Sequence, residues 1–175
     1  MEFSKLFSYC PVCGSKEFVL NNEKSMRCEP CGFVLYTNAS AATAAFIRNE
    51  AGDLLVCRRA KEPAKGTLDL PGGFVDGQET AEKAIAREIK EELGGDVESL
   101  NYLFSLPNLY EYSGLTVPTL DMFFSCHLKS IENLKASDDV EGFEFVSLAK
   151  LQPELFGLQS IRKAVEMFLK EQGAV

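Results

Sequence analysis

The stretch Leu70–Gly95, "LPGGFVDGQETAEKAIAREIKEELGG", decides how the rest of this chain is read. In its second half Ala81, Ile85, Ile89 and Leu93 recur every four residues, the spacing that puts apolar side chains on one face of a helix. Gly94 supplies a stop, so a helix is predicted from about Thr80 to Leu93. Each helical residue advances by about 100°, which places Glu88, Glu91 and Glu92 within an arc of roughly 100° beside that apolar stripe. Carboxylates at the edge of a core repel one another more than carboxylates on an open surface. Such a cluster either raises carboxyl pKa values or recruits a hard cation, and Mg²⁺ suits oxygen ligands that also hold a substrate phosphate. On "REIKEEL" alone the alternative is a solvated face carrying pairs such as Arg87 to Glu91.

The segment before the helix favours a ligand. Pro71 fixes a turn, and Gly72 and Gly73 let backbone groups come close to a bound molecule. Working outward, "ATAAFIRNEAGDLLVCRRA" reads as a hairpin around Ala51, Gly52 and Asp53, and "TLDL" as a short strand. Further strands are expected at 97–106, 119–128 and 141–147. Pro153 is expected to open a final amphipathic helix that buries Ile161, Val165, Phe168 and Leu169. Arg58 and Arg59 follow a strand and are candidate phosphate clamps, with pairing to acidic groups as the alternative. Phe104, Tyr110 and Tyr112, near a Pro107–Asn108 turn, offer a stacking platform for a base, or else core filling.

Composition changes near residue 37. Before it, Cys10-Pro-Val-Cys13-Gly14 and Cys28-Glu-Pro-Cys31-Gly32 repeat one design, two thiols followed by a turn-tolerant glycine. Four soft ligands in two such pairs point to a closed structural Zn²⁺ site, with redox dithiols as the rival. A closed site leaves no open coordination position, so it serves stability or partner recognition. Cys57 and Cys126 sit in apolar strands and are read as core. The division expected is a zinc ribbon over 1–37 and a second domain over 38–175.

Overall charge narrows the partners. The 175 residues carry a formal net charge of −8, which argues against non-specific binding to nucleic acid or an anionic membrane. Within 1–37, Lys5, Lys16, Lys24 and Arg27 cancel Glu2, Glu17, Glu23 and Glu29, so protein contact or plain stabilisation is the expected ribbon role. No signal core and no apolar run of spanning length stand out, and a cytoplasmic protein without membrane association is expected. A homodimer stays open.

Read as a whole, Gly73, five residues, Glu79, seven residues, then Arg87-Glu88-Ile89-x-Glu91-Glu92-x-Gly94 resembles the signature of the Nudix hydrolase family. The one departure is Gly95, where a bulky aliphatic residue is usual. The resemblance spans about residues 40–170. It implies an α/β fold, an α/β/α sandwich around a mixed sheet, and Mg²⁺- or Mn²⁺-dependent hydrolysis of a nucleoside diphosphate linked to another moiety. Carried over, Glu88, Glu91 and Glu92 with the Gly73 carbonyl would hold the cation, while Arg87 and Glu79 would orient the helix. The base would be a helix glutamate or a later loop acid. Here Glu141 in "SDDVEGFEF" is the favoured loop acid, with Asp138, Asp139 and Glu144 competing. A ribbon ahead of such a domain is also the layout of NADH pyrophosphatases. That subfamily's Trp-containing motif is absent, since the chain has no Trp. ADP-ribose or another nucleotide sugar is therefore expected ahead of a dinucleotide, and a non-catalytic nucleotide-sugar-binding regulator is the alternative outside enzymes.

Overall fold

The computed structural model describes residues 7–173. Glu2 and Lys5, part of the ribbon's charge balance, lie outside them. Strands β1 (Phe18–Asn22), β2 (Ser25–Cys28) and β3 (Val34–Tyr36) form an antiparallel sheet in the order β1-β2-β3. Cys10, Phe18, Met26 and Cys28 make its small core, with Phe7, Phe33 and Leu35 packed against them.

The rest of the chain builds two further three-stranded sheets. One, in the order β4-β8-β7, is mixed: β4 (Ser40–Ile47) runs parallel to β8 (Leu115–Leu128), which pairs antiparallel with β7 (Val97–Tyr112). The other is antiparallel, with β5 (Leu54–Arg59) between β6 (Leu68–Asp69) and β9 (Val140–Val146). Helix α1 (Ala81–Leu93) covers one side and α2 (Gln159–Glu171) the other. Side chains of a strand alternate between faces, so Ala44 and Phe46 of β4 pack toward α2 while Ala45 and Ile47 pack toward α1. Burial on both faces explains why "SAATAAFI" carries no charge along its length. No helix among the described residues is long and apolar enough to cross a membrane.

Helix α1 starts and stops where its sequence signals lie. The Thr80 hydroxyl accepts from the Lys83 N–H, and Gly94 takes a left-handed conformation (φ 70°) while its N–H bonds to the Lys90 carbonyl. Gly95 is buried; a Cβ there would sit 3.1 Å from Leu128 and Leu134 and 3.3 Å from Ile89, so the neighbours already occupy the space of the usual aliphatic residue.

Three expectations are corrected. The segment 42–60 is not a hairpin ladder: it is joined only by the bridge Arg48↔Leu54, because β4 pairs with β8 along one edge and with the Pro71–Val75 segment along the other. Pro107 and Asn108 do not turn. They continue β7 opposite Leu120 and Thr119, and the reversal comes at Ser113 and Gly114, both at positive φ. Pro107 is tolerated because β7 is an edge strand, where a missing N–H breaks no inner ladder. Pro153 opens a single 3₁₀ turn, Pro153–Leu155, and α2 begins only at Gln159. Between them Phe156 is buried and bridges Leu68, and Gly157 passes so close to Thr67 and Ala64 that a Cβ would meet them at 2.3 and 2.4 Å. The helix register cannot run through that contact.

Candidate active site and thiol centre

A cleft of about 370 Å³ opens where the Leu70–Phe74 loop meets α1. Gly72 is forced there: its φ is 149°, and a Cβ would lie 2.1 Å from the Thr43 carbonyl oxygen. Gly73 is pressed on the Glu88 carboxyl group, which a Cβ would meet at 2.6 Å, and its carbonyl accepts from the Thr43 N–H at 2.8 Å. The loop therefore lies flat between β4 and α1, with the acidic face of the helix against it.

Arg87 organises that face. Its guanidinium donates to Glu79 at 2.7 Å, to the Phe74 carbonyl at 3.0 Å, to Glu88 at 2.8 Å and to Glu91 at 3.0 Å. Glu92 points the other way. It is 6% exposed, and its Oε2 accepts from the Gly72 N–H at 3.0 Å. Burial first, then the charges of Glu88, Asp69 and Asp139, pushes the Glu92 carboxyl up to about 8 despite that N–H. Glu88 is raised as well, by burial first, with Arg87 opposing and Glu91 and Asp138 adding to it. Glu79 is lowered, chiefly by its hydrogen bond from Arg87.

The three glutamates thus share the cleft, but Arg87 and Gly72 hold their oxygens apart. Among the described residues only the four ribbon thiols converge within 4.8 Å as a ligand group. As hard oxygen donors with raised pKa values, Glu88 and Glu92 fit a divalent cation, with Arg87 standing in for part of its charge.

The thiol centre has the spacing of a closed Zn²⁺ site. Cys10 and Cys31 Sγ are 3.7 Å apart, and Cys13 and Cys28 Sγ 3.5 Å. Four sulfurs at the usual Zn–S length around a tetrahedral ion are separated by about 3.8 Å. The Cys28 thiol is pushed up to about 12, by burial first and then by the neighbouring thiols, and that repulsion is what a cation removes.

The cleft gathers Glu88, Glu91, Glu92, Gly72, Gly73, Arg58, Arg59 and Tyr110. Arg59 is not a free clamp: it pairs with buried Asp69 and also donates to Pro63 O and the Tyr110 hydroxyl. Arg58 is exposed and donates to Gly66 O at 2.7 Å. Glu141, Glu144, Tyr112 and Phe104 fall outside the cleft. Glu141 is exposed on β9 because its neighbour Val140 takes the inward position, and Glu144 is likewise exposed on that strand. Asp138 and Asp139, in the turn before β9, line the cleft instead, and both pair with Lys61. Tyr112 sits two residues beyond Tyr110, at the exposed tip of the hairpin. Phe104 packs on Phe123 in the core, and Cys57 and Cys126 are buried. Sequence reading missed Phe74, whose ring meets Tyr110 edge-on at 5.4 Å, and buried Asp69 and Asp121. The available signal for the last two was a lone Asp inside an apolar run, "LDL" and "LDM".

With the loop, the acidic helix and the two flanking layers established, the comparisons with known proteins agree on one family. The chain belongs to the NUDIX domain family, whose model matches residues 38–168. It is 34% identical over 131 residues to an ADP-ribose pyrophosphatase from Methanocaldococcus jannaschii, covering 74% of each chain. It is 26% identical over 161 residues to an NAD-capped RNA hydrolase, NudC, from Pseudomonas aeruginosa, covering 92% of this chain and 55% of that one. The chain therefore spans about half the length of such relatives. Among solved structures, a NUDIX hydrolase from Nitrosomonas europaea superposes with a TM-score of 0.74 at 19% identity, covering 95% of this chain and 93% of the other, and so shares its fold.

Proposed function

We propose that this protein hydrolyses the pyrophosphate bond of a nucleoside diphosphate linked to another moiety, using Mg²⁺ or Mn²⁺, with ADP-ribose or another nucleotide sugar as substrate. The observation that carries this reading is the pair of half-buried Glu88 and buried Glu92, which meet the Gly72–Gly73 loop at the cleft and whose carboxyls are both raised by burial. A desolvated carboxyl group beside other acids is stabilised by a cation. The printed activity of the Methanocaldococcus relative supports the choice of ADP-ribose.

Glu88, Glu91 and Glu92 would hold the cation, with the Gly73 carbonyl, which accepts from the Thr43 N–H at 2.8 Å and only at 3.4 Å from the Thr43 hydroxyl, a long bond that a rotating hydroxyl can give up. When bound, the cation supplies phosphate neutralisation and acidifies a water near phosphorus. Arg87, bonded to Glu79 and the Phe74 carbonyl, would keep the helix in one orientation against the loop. Arg58 contributes a phosphate contact. Asp138 or Asp139 takes the proton of the attacking water, since each lines the cleft on a turn anchored by Ser137 N–H to the Glu92 carbonyl. We further assign a structural Zn²⁺ to Cys10, Cys13, Cys28 and Cys31 in a ribbon over 1–37, ahead of the catalytic domain over 38–175. A cytoplasmic location suits six cysteines of which none is in a disulfide.

The test is a hydrolysis screen with Mg²⁺ across ADP-ribose, NADH, diadenosine polyphosphates and nucleoside triphosphates, repeated with Glu91→Gln. Glu91 is half exposed, so the variant should fold unchanged and lose at least about 100-fold in kcat/KM. Activity within tenfold of wild type would overturn the assignment. Preferential turnover of NADH would move the substrate to a dinucleotide, in line with the NAD-capped RNA hydrolase relative. No turnover of any compound would favour a nucleotide-sugar-binding regulator.

A further inference from the structure

The cleft extends beyond the glutamates to a second polar floor. There Asp121 of β8 is 6% exposed, and its two oxygens accept from the Thr119 hydroxyl at 2.6 Å and the Ser160 hydroxyl of α2 at 2.5 Å. No Lys, Arg or His pairs with it among the described residues. Each carboxylate oxygen keeps a second acceptor site. Ala42, in register beside Asp121 on β4, is small and lines the same cleft. Asn108, in register with Thr119 on β7, is half-buried there with no hydrogen bond from its side chain among the described residues.

The chemistry of this end is opposite to that of the glutamate end once a cation is held. Buried Asp121, with Asp69 nearby and Arg59 already paired, repels a phosphate group and invites neutral hydrogen-bond donors. Two adjacent hydroxyls match two free acceptor sites on one carboxylate, the pairing by which acidic side chains hold ribose diols elsewhere. The Asn108 amide returns a donor to a sugar oxygen. We propose that this end of the cleft is a subsite for the vicinal diol of the sugar attached to the pyrophosphate, held by Asp121 and Asn108. The proposal rests on the pyrophosphatase reading for its orientation. Its consequence is selectivity: a nucleoside triphosphate would bring a charged terminal phosphate to the place where a neutral sugar is wanted.

Calorimetric titration in Ca²⁺, which holds off turnover, tests this through binding alone, with ADP-ribose compared against ADP, which lacks the sugar. Wild type should bind ADP-ribose at least about tenfold tighter than ADP, and Asp121→Asn and Asn108→Ala should each bring that ratio toward one. If Asp121 only anchors α2 through Ser160, the variant melts lower but the ratio stands, and the subsite falls. Equal weakening of ADP and ADP-ribose means that the carboxylate reads the nucleoside, which also overturns it. Should Asp121→Asn fail to fold, Asn108→Ala on the edge strand decides, an unchanged ratio counting against the subsite. A ratio that collapses in a protein without hydrolytic activity keeps the subsite and removes the hydrolase assignment.

Discussion

Glu92 shows how much one side chain can carry. Its carboxyl sits near 8 in the fold against an ordinary 4.5, so the folded state keeps a proton that the unfolded chain gives up. The associated stability is fully present below about 4.5 and is lost as pH rises through about 8. Metal-free protein should therefore melt at a lower temperature at pH 8.5 than at pH 6, and Glu92→Gln should flatten that difference in parallel thermal scans. Added Mg²⁺ should restore wild type at the higher pH and leave the variant unmoved, since only wild type gains a ligand there. Sequence reading found Glu92 because its neighbours are in fixed helical relation to it. Asp121 and Asp69 escaped for the converse reason. Their meaning depends on Ser160 and Arg59, one 39 positions away and the other on a neighbouring strand, and no local pattern joins them.

Among the elements, the Leu70–Phe74 loop is the part that tolerates least. Gly72→Ala would drive a methyl group into the Thr43 carbonyl and should cost at least about 2 kcal/mol, or several degrees in Tm, measured by denaturant and thermal unfolding. Gly77→Ala, with open space around it and no positive φ, should change stability by less than about 0.5 kcal/mol in the same experiment. Helix α1 was legible to within a residue because its apolar repeat and its terminal glycine are local signals. The β7–β8 hairpin was not. Pro107-Asn108 has the composition of a turn, yet the edge position removes the penalty of a proline in a strand, and Ser113-Gly114 makes the actual reversal. Pro153 misled in a similar way, as a helix opener displaced by the packing of Phe156 under β6.

At the scale of the whole molecule, the ribbon core is four buried apolar and sulfur side chains with three neighbours, too little to stand without a staple. One Zn²⁺ per chain should be found by elemental analysis, and Cys28→Ser should abolish it and remove one unfolding transition. With the proposed catalytic residues all in the later segment, kcat/KM of that variant should stay within about threefold of wild type. The two Cys-x-x-Cys pairs announced the thiol cluster, whereas the parallel pairing of β4 with β8 was invisible, because it joins segments roughly eighty residues apart. That pairing also sets an order of events in time. Closing so long a loop is slow compared with forming α1 or the β7–β8 hairpin, so the contact that seats Ala42 beside Asp121, like the still longer pairing of β5 with β9, comes late. The glutamate helix is made early on a growing chain, but the cleft above it has no floor until β8 and α2 have been made, and a nascent chain halted before them lacks the pocket altogether.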